Sequence, residues 1–386
     1  MKEIYLDNSA TTKICDEALE KYIEASRGCY GNPSSLHSLG FEAEKLLNNA
    51  RGEICASLGA RGMTVIFTAS VTEANNLAIF GRAFAKERYK KGAKIITTMG
   101  EHASVDAPLQ MLENMGYTVA RIPTRDGKID MAVLEKELTG QVILVTCMMA
   151  NNETGALYDT AAIASLMKRK APEAILHIDA TQSYLKIPFT KASCGADMIT
   201  VSSHKIEGPK GVGALLVDGE VMKARGLSPL ILGGGQEGGM RSGTENVPGI
   251  AAFGEAVRVG KAAFKERYRM ICELREYLMR GLSEIPEISI TMPERCVPHI
   301  VNITLPDIKS ETMLHYLSSL GIFVSSGSAC SSNGNHDSPA LLAYGRSQRE
   351  ADSSIRISLS YRNTREDIDG LVDGLKSGIA RLSRIR

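Results

Sequence analysis

The sequence lacks any marked excess of charge: 45 basic residues stand against 44 acidic ones, a formal +1. No long-range field therefore draws the chain toward nucleic acid or an anionic membrane, and any anionic ligand must be held by local groups. Paired cysteines are missing as well. Eight cysteines occur, at positions 15, 29, 55, 147, 194, 272, 296 and 330, with no C-x-x-C spacing among them. That excludes zinc ribbons and a small disulfide scaffold, and fits reduced thiols in a cytoplasm. The longest apolar run, 142–145 continuing through 147–150, falls short of the roughly 20 residues that a bilayer span needs. Acids among the first seven residues leave no apolar run for an export signal. Neither an internal repeat nor a low-complexity tract is found. The expectation is a soluble cytoplasmic protein, and 386 residues suit one large domain with a smaller companion.

What the chain does have is alternation. Helical periodicity runs from Asp16 to Leu58, interrupted by the turn-rich 28–35. A β-branched segment at 64–68 leads straight into a helix from Thr72, the first strand-then-helix unit. Further strands are expected at 94–98, 118–122, 142–149, 175–179 and 198–201, with helices near 104–115, 131–138 and 159–170. Strands that are apolar throughout belong in a sheet buried on both faces, hence largely parallel and covered by helices. This is a three-layer α/β domain. A long helical pattern over 247–282 leads away from it. Beyond lie a strand at 300–304, a helix at 310–320, strands at 322–325 and 354–359, and a helix from Glu366, a small α+β domain.

Chemistry gathers at the strand ends. Lys205 follows the strand at 198–201 within Ser202-Ser203-His204-Lys205-Ile206-Glu207-Gly208; a polar surface loop is the ordinary reading of such a turn, yet an amine held rigidly there could form a Schiff base. Ser70-Val71-Thr72 opens a helix whose free N–H groups can hold a phosphate, although helix capping accounts for the same residues. His102, in Glu101-His102-Ala103-Ser104, lies just past a strand, where ligands of open α/β sheets collect, or is a satisfied structural histidine. Asp179 ends an apolar strand with a carboxylate, which is costly to bury without a cation. The pyridinium nitrogen of pyridoxal phosphate is such a cation. Two glycine-rich loops complete the set. The loop 233–244 sets an arginine and hydroxyls beside glycines, and 325–334 sets Cys330 among small residues, where a reactive thiol is more plausible than a buried one.

Taken in order, Leu6-Asp7-Asn8-Ser9-Ala10-Thr11-Thr12, Gly31-Asn32-Pro33-Ser34-Ser35-Leu36-His37, Glu101-His102-Ala103-Ser104-Val105, Asn151-Asn152-Glu153-Thr154-Gly155, Asp179-Ala180-Thr181-Gln182, Ser203-His204-Lys205 and Ser328-Ala329-Cys330 make a chain that resembles the cysteine desulfurases, pyridoxal-phosphate enzymes of the class V aminotransferase group. The resemblance implies a fold-type-I enzyme with a large domain over 15–258 and a small one formed by 1–14 with 259–386. It implies that Lys205 carries pyridoxal 5'-phosphate as a Schiff base, that His102 stacks on the ring and relays protons, that Asp179 pairs with the ring nitrogen, and that Gln182 reaches the ring hydroxyl. Val71 through its amide, Thr72, Ser202, Ser203 and His204 would hold the phosphate. Thr244 would reach it from a second subunit, which implies a homodimer. Arg356 would clamp the carboxylate of L-cysteine with the help of Asn152, itself also beside the cofactor, and Cys330 would take the sulfur as a persulfide. The implied product is L-alanine, with sulfur passed to an acceptor protein of iron–sulfur assembly or of thiolation pathways. A selenocysteine lyase and a non-catalytic scaffold are the rival readings. Three departures stand out: Ser70 and Val71 stand where the family usually carries glycine or alanine, Glu207 is an acid for which the motif supplies no role, and 333–339 keeps the approximate length of the family's post-cysteine loop but not its usual residues.

Overall fold

The structure is a computed structural model that describes residues 3–85, 93–305, 307–326 and 338–382. Its centre is a seven-stranded sheet in the order Met63–Thr68, Gly213–Asp218, Met198–Ser202, Ile175–Asp179, Val142–Met148, Lys94–Thr98, Thr118–Ile122. All neighbouring pairs are parallel except the two made by Gly213–Asp218, which runs antiparallel to both flanking strands. Reversed twice, the edge strand Met63–Thr68 points the same way as Met198–Ser202. The carboxyl ends of six strands therefore meet at one edge of the sheet, where open α/β sheets bind ligands.

Side chains along each strand alternate between two cores, as the period of two requires. Val65, Phe67, Ile96, Val145 and Leu216 join a core with Leu47, Phe253 and Val257. Ile66, Ile95, Leu144 and Leu215 face the other way, against Leu77, Ile79 and Leu109. Helices Ser38–Ser57 and Val247–Ala262 cover the first face, and Val71–Phe84 and Ala103–Asn114 the second. The apolar strands are thus buried on both sides, giving the three expected layers.

The remaining elements build a second, four-stranded antiparallel sheet, ordered Ser325–Ser326, Ser354–Ser358, Ile300–Thr304, Ser289–Thr291. Its core holds Leu278, Ile303, Met313, Leu317, Ile355 and Leu371 together with Leu6 from the start of the chain. Ile4–Tyr5 pairs in parallel with Ile322–Phe323, and Asp7 bridges to Ser358. From there residues 8–15 run back to the large sheet, where the Thr12 amide donates to the His204 carbonyl at 2.9 Å.

Three local expectations change. The helical pattern over 247–282 is two helices, Val247–Ala262 and Phe264–Ser283, joined at Ala263; periodicity cannot register such a joint when both helices are amphipathic. The strand expected at 322–325 is split between two sheets. Gly213–Asp218, which follows a run of glycines, was not expected as a strand at all.

Gly213 matters for position. A Cβ there would lie 2.8 Å from the Ser70 carbonyl carbon and 3.0 Å from the Val71 nitrogen, so its absence lets the start of helix Val71–Phe84 lie against the strand. Backbone atoms cannot give way cheaply. Gly213→Ala is expected to destabilise the protein by about 1–3 kcal/mol, the usual cost of overpacking; an unchanged denaturant midpoint would contradict this packing.

Candidate functional site

At the shared edge, Asp179 closes a strand that is buried throughout. Its Oδ2 accepts a hydrogen bond from Asn75 Nδ2 at 2.8 Å, and its Oδ1 accepts from the Thr181 amide at 2.9 Å. Neutral amides are its hydrogen-bond donors, which leaves the carboxylate able to take a cation. Asn75 also donates to Ser104 Oγ at 2.9 Å, and that hydroxyl lies 2.8 Å from His102 Nδ1. One asparagine thus ties the carboxylate to the histidine.

His102 caps helix Ala103–Asn114. Its Nδ1 accepts from the Ser104 amide at 3.1 Å, so in the neutral ring the proton sits on Nε2. Burial pushes its pKa below the ordinary value; the Asp179 carboxylate opposes that and the Lys205 ammonium reinforces it. A neutral imidazole beside a carboxylate and an amine can stack on a ring and move protons.

Lys205 sits in the turn after Met198–Ser202. Its Nζ donates to the carbonyls of Ser9 and of Ala10, the latter at 2.8 Å. Gln182 Nε2 reaches the same Ser9 carbonyl at 3.0 Å, while its Oε1 accepts from Lys186 Nζ at 3.3 Å. Burial, followed by repulsion from Lys205 and Arg356, lowers the Lys186 amine to about 7. His204 is lowered to about 4 by burial and by Lys205, Lys210 and Lys186. Its Nδ1 lies 3.2 Å from Thr11 Oγ1, leaving Nε2 for a further partner.

The hydroxyls of Ser202 and Ser203 are buried and lack a hydrogen-bond partner among the described residues. Ser202 pairs with Gly213, the residue against which Ser70 and Val71 pack, so these donors share a corner with the amino terminus of helix Val71–Phe84. Ser70 itself is the cap, accepting from the Glu73 amide at 3.1 Å, and Thr72 is exposed. Orphaned hydroxyls, free helix N–H groups, a carboxylate awaiting a cation and a lysine amine are the donor set that pyridoxal phosphate needs, and the residues present fit it.

Arg356 is 5% exposed. Its Nη2 pairs with Asp7 at 2.8 Å and its Nη1 donates to the Asn152 carbonyl at 3.1 Å, while Nε has no partner among the described residues. Thr244 is exposed. Cys330 lies outside the described residues. The chain on either side of it does reach the site: Ser325 pairs with Arg356, and the Ser338 hydroxyl donates to Glu153.

Sequence reasoning missed Asn75 and Asp7. Asn75 lies three residues past Thr72 on the helix, a spacing that shares a face, and Asp7 stood inside a quoted motif without a partner to suggest its role.

The family model for aminotransferase class-V matches residues 4–371. The chain is 37% identical to cysteine desulfurase IscS 1 of Archaeoglobus fulgidus, over 98% of this chain and 97% of that protein. A solved NifS-like protein superposes with a TM-score of 0.89 at 35% identity, covering 99% of this chain and all (100%) of that one. A structure described as SspA in complex with cysteine matches at 29% identity and a TM-score of 0.81, over 94% of this chain and 100% of that one.

Glu101, next to His102, accepts from the Met148 amide at 3.0 Å and from the Thr98 hydroxyl. Burial raises its carboxyl to about 8, against about 4.3 in an unfolded chain. Between those values the folded state holds a proton that the unfolded state has lost, so through this group stability falls as pH rises across the window. Unfolding of cofactor-free protein from pH 5 to 8 should show a shallower decline for Glu101→Gln than for wild type; equal slopes would contradict the assignment.

Proposed function

The chain belongs to the class-V aminotransferase family, among its cysteine desulfurases, and on that premise we propose that it converts L-cysteine to L-alanine and takes the sulfur on Cys330. The observation that carries the reading is the convergence of Lys205, Asp179 and His102 with the orphaned hydroxyls of Ser202 and Ser203 on one sheet edge. When bound, pyridoxal 5'-phosphate supplies a ring that accepts electrons and so lowers the cost of negative charge at the substrate Cα.

The residues divide the remaining work. Lys205 would hold the cofactor through its amine. Asp179 would keep the ring nitrogen protonated, Gln182 would serve the ring hydroxyl, and Ser202, Ser203, His204, Thr72 and the Val71 amide would hold the phosphate. Arg356 exchanges Asp7 for the substrate carboxylate, a bidentate pairing that fixes the Cα–H bond, with Asn152 alongside. Lys205 and His102 are the groups placed to move the proton at Cα. The Cys330 thiolate attacks the substrate sulfur; the S–S bond forms as the Cβ–S bond breaks, and the electron pair left on carbon takes up protons to give alanine. The balance is one cysteine and one thiol to one alanine and one persulfide, with no outside oxidant. The reading includes a homodimer in which Thr244, exposed on the single chain, completes the phosphate site of a second copy, and an iron–sulfur scaffold or thiolation enzyme as the acceptor of the persulfide sulfur.

In an assay of alanine and sulfide release with L-cysteine, pyridoxal phosphate and a reducing thiol, wild type should turn over and sediment as a dimer. Cys330→Ala should bind cofactor, still shift the cofactor spectrum on adding L-cysteine, and lose alanine release by about a hundredfold or more, because a methyl group cannot replace a thiolate. Alanine release at the wild-type rate from that variant would overturn Cys330 as the acceptor.

A further inference from the structure

Glu207, two residues beyond Lys205, has a backbone φ of 66°, the left-handed region that a glutamate rarely occupies. Its side chain is only 6% exposed. Something must compensate both costs, and three side chains from outside the large sheet do so. Arg362 Nε lies 2.6 Å from Oε1, Arg267 Nη1 lies 3.0 Å from Oε2, and the Tyr361 hydroxyl donates to Oε2 at 2.8 Å. Arg267 also stacks on the Tyr361 ring, 4.0 Å from its centroid. Burial, then the Glu207 charge, pushes the Tyr361 phenol up to about 12, so it stays a donor over the working range of pH.

The backbone of the same turn is fastened separately. The Thr12 hydroxyl donates to the His204 carbonyl at 2.8 Å and accepts from the Glu207 amide at 2.8 Å, spanning Lys205. The Cys15 amide donates to the Glu207 carbonyl at 2.9 Å. Residues 203–208 close a tight turn, with the Ile206 and Gly208 amides both donating to the Ser203 carbonyl at 3.0 Å. Lys205 therefore cannot shift along its turn without disturbing Glu207.

The partners tell what the clamp connects. Arg267 lies in helix Phe264–Ser283, and Tyr361 and Arg362 follow strand Ser354–Ser358, which carries Arg356. A buried carboxylate bonded to two guanidiniums and a phenol is a costly contact to break, because removing one partner leaves charge behind in a desolvated place.

We infer that Glu207 is a positioning residue, which locks the Lys205 turn to the Arg356 strand and thereby fixes the cofactor-binding amine relative to the arginine placed for the substrate carboxylate. The inference rests on Lys205 being the attachment point. The clamp acts through that lysine.

The test compares cofactor-free wild type, Glu207→Gln, Glu207→Asp and Arg362→Met, mixed with pyridoxal phosphate. The readouts are the rate at which the yellow chromophore forms, the pH midpoint of its absorbance, and thermal melting. Glu207→Gln keeps the shape and loses the charge; it should slow chromophore formation by about tenfold or more, the scale expected when a reacting group is misplaced by a fraction of an ångström to an ångström, and should move the pH midpoint. Arg362→Met removes a half-exposed partner and so should fold where Glu207→Gln does not; it should shift both readouts in the same direction. Glu207→Asp, which keeps the charge and tolerates the left-handed backbone, should recover part of the rate. Lowered melting temperatures with wild-type chromophore rates and midpoints in Glu207→Gln and Arg362→Met would reduce Glu207 to a structural residue and overturn the inference. A chromophore that still forms in Lys205→Ala would instead overturn the attachment point itself.

Discussion

A lysine amine aimed into a protein needs acceptors for its protons, and the way this chain supplies them to Lys205 organises the rest of the structure. The carbonyls come from Ser9 and Ala10, so the start of the chain must cross from the small sheet to the large one. That crossing brings Asp7 to Arg356 and Thr12 to the lysine turn. Asp179 and His102, joined through Asn75 and Ser104, fix the opposite side. Removing water from such a cluster penalises the charged form of every group in it, and burial is accordingly the first cause that lowers His102, Lys186 and His204.

The two halves of the molecule divide the task by their physics. The large sheet, buried on both faces, offers a rigid edge on which a carboxylate, an amine and a helix terminus hold their spacing. The small sheet contributes an arginine whose third nitrogen, Nε, has no partner among the described residues. Ser70 and Val71 at the start of helix Val71–Phe84 lie close to the neighbouring strand because Gly213 leaves room there.

Much of this was legible from sequence because the signals are local. Continuous apolar runs marked the parallel strands, and the hydroxyls of Ser70 and Thr72 marked the start of the helix that follows the first of them. Ordered motifs placed Lys205, Asp179 and His102, and the structure brings these three to one edge. What was not legible depends on partners distant in the chain. Nothing near Glu207 in sequence announces Arg267, Tyr361 and Arg362, and nothing near Asp7 announces Arg356. The antiparallel strand Gly213–Asp218 was hidden by the glycines that precede it, and the joint at Ala263 by two helices of similar composition. Cys330 belongs to the sequence argument alone, since residues 327–337 fall outside the described part of the chain.

The central claim is that the amine at Lys205 is the one built to hold the cofactor. Borohydride reduction of protein loaded with pyridoxal phosphate, followed by peptide mapping by mass spectrometry, tests it most directly. The account predicts a single reduced pyridoxyl label on Lys205, whereas a label on neighbouring Lys186 or Lys210, with Lys205 unmodified, would contradict it.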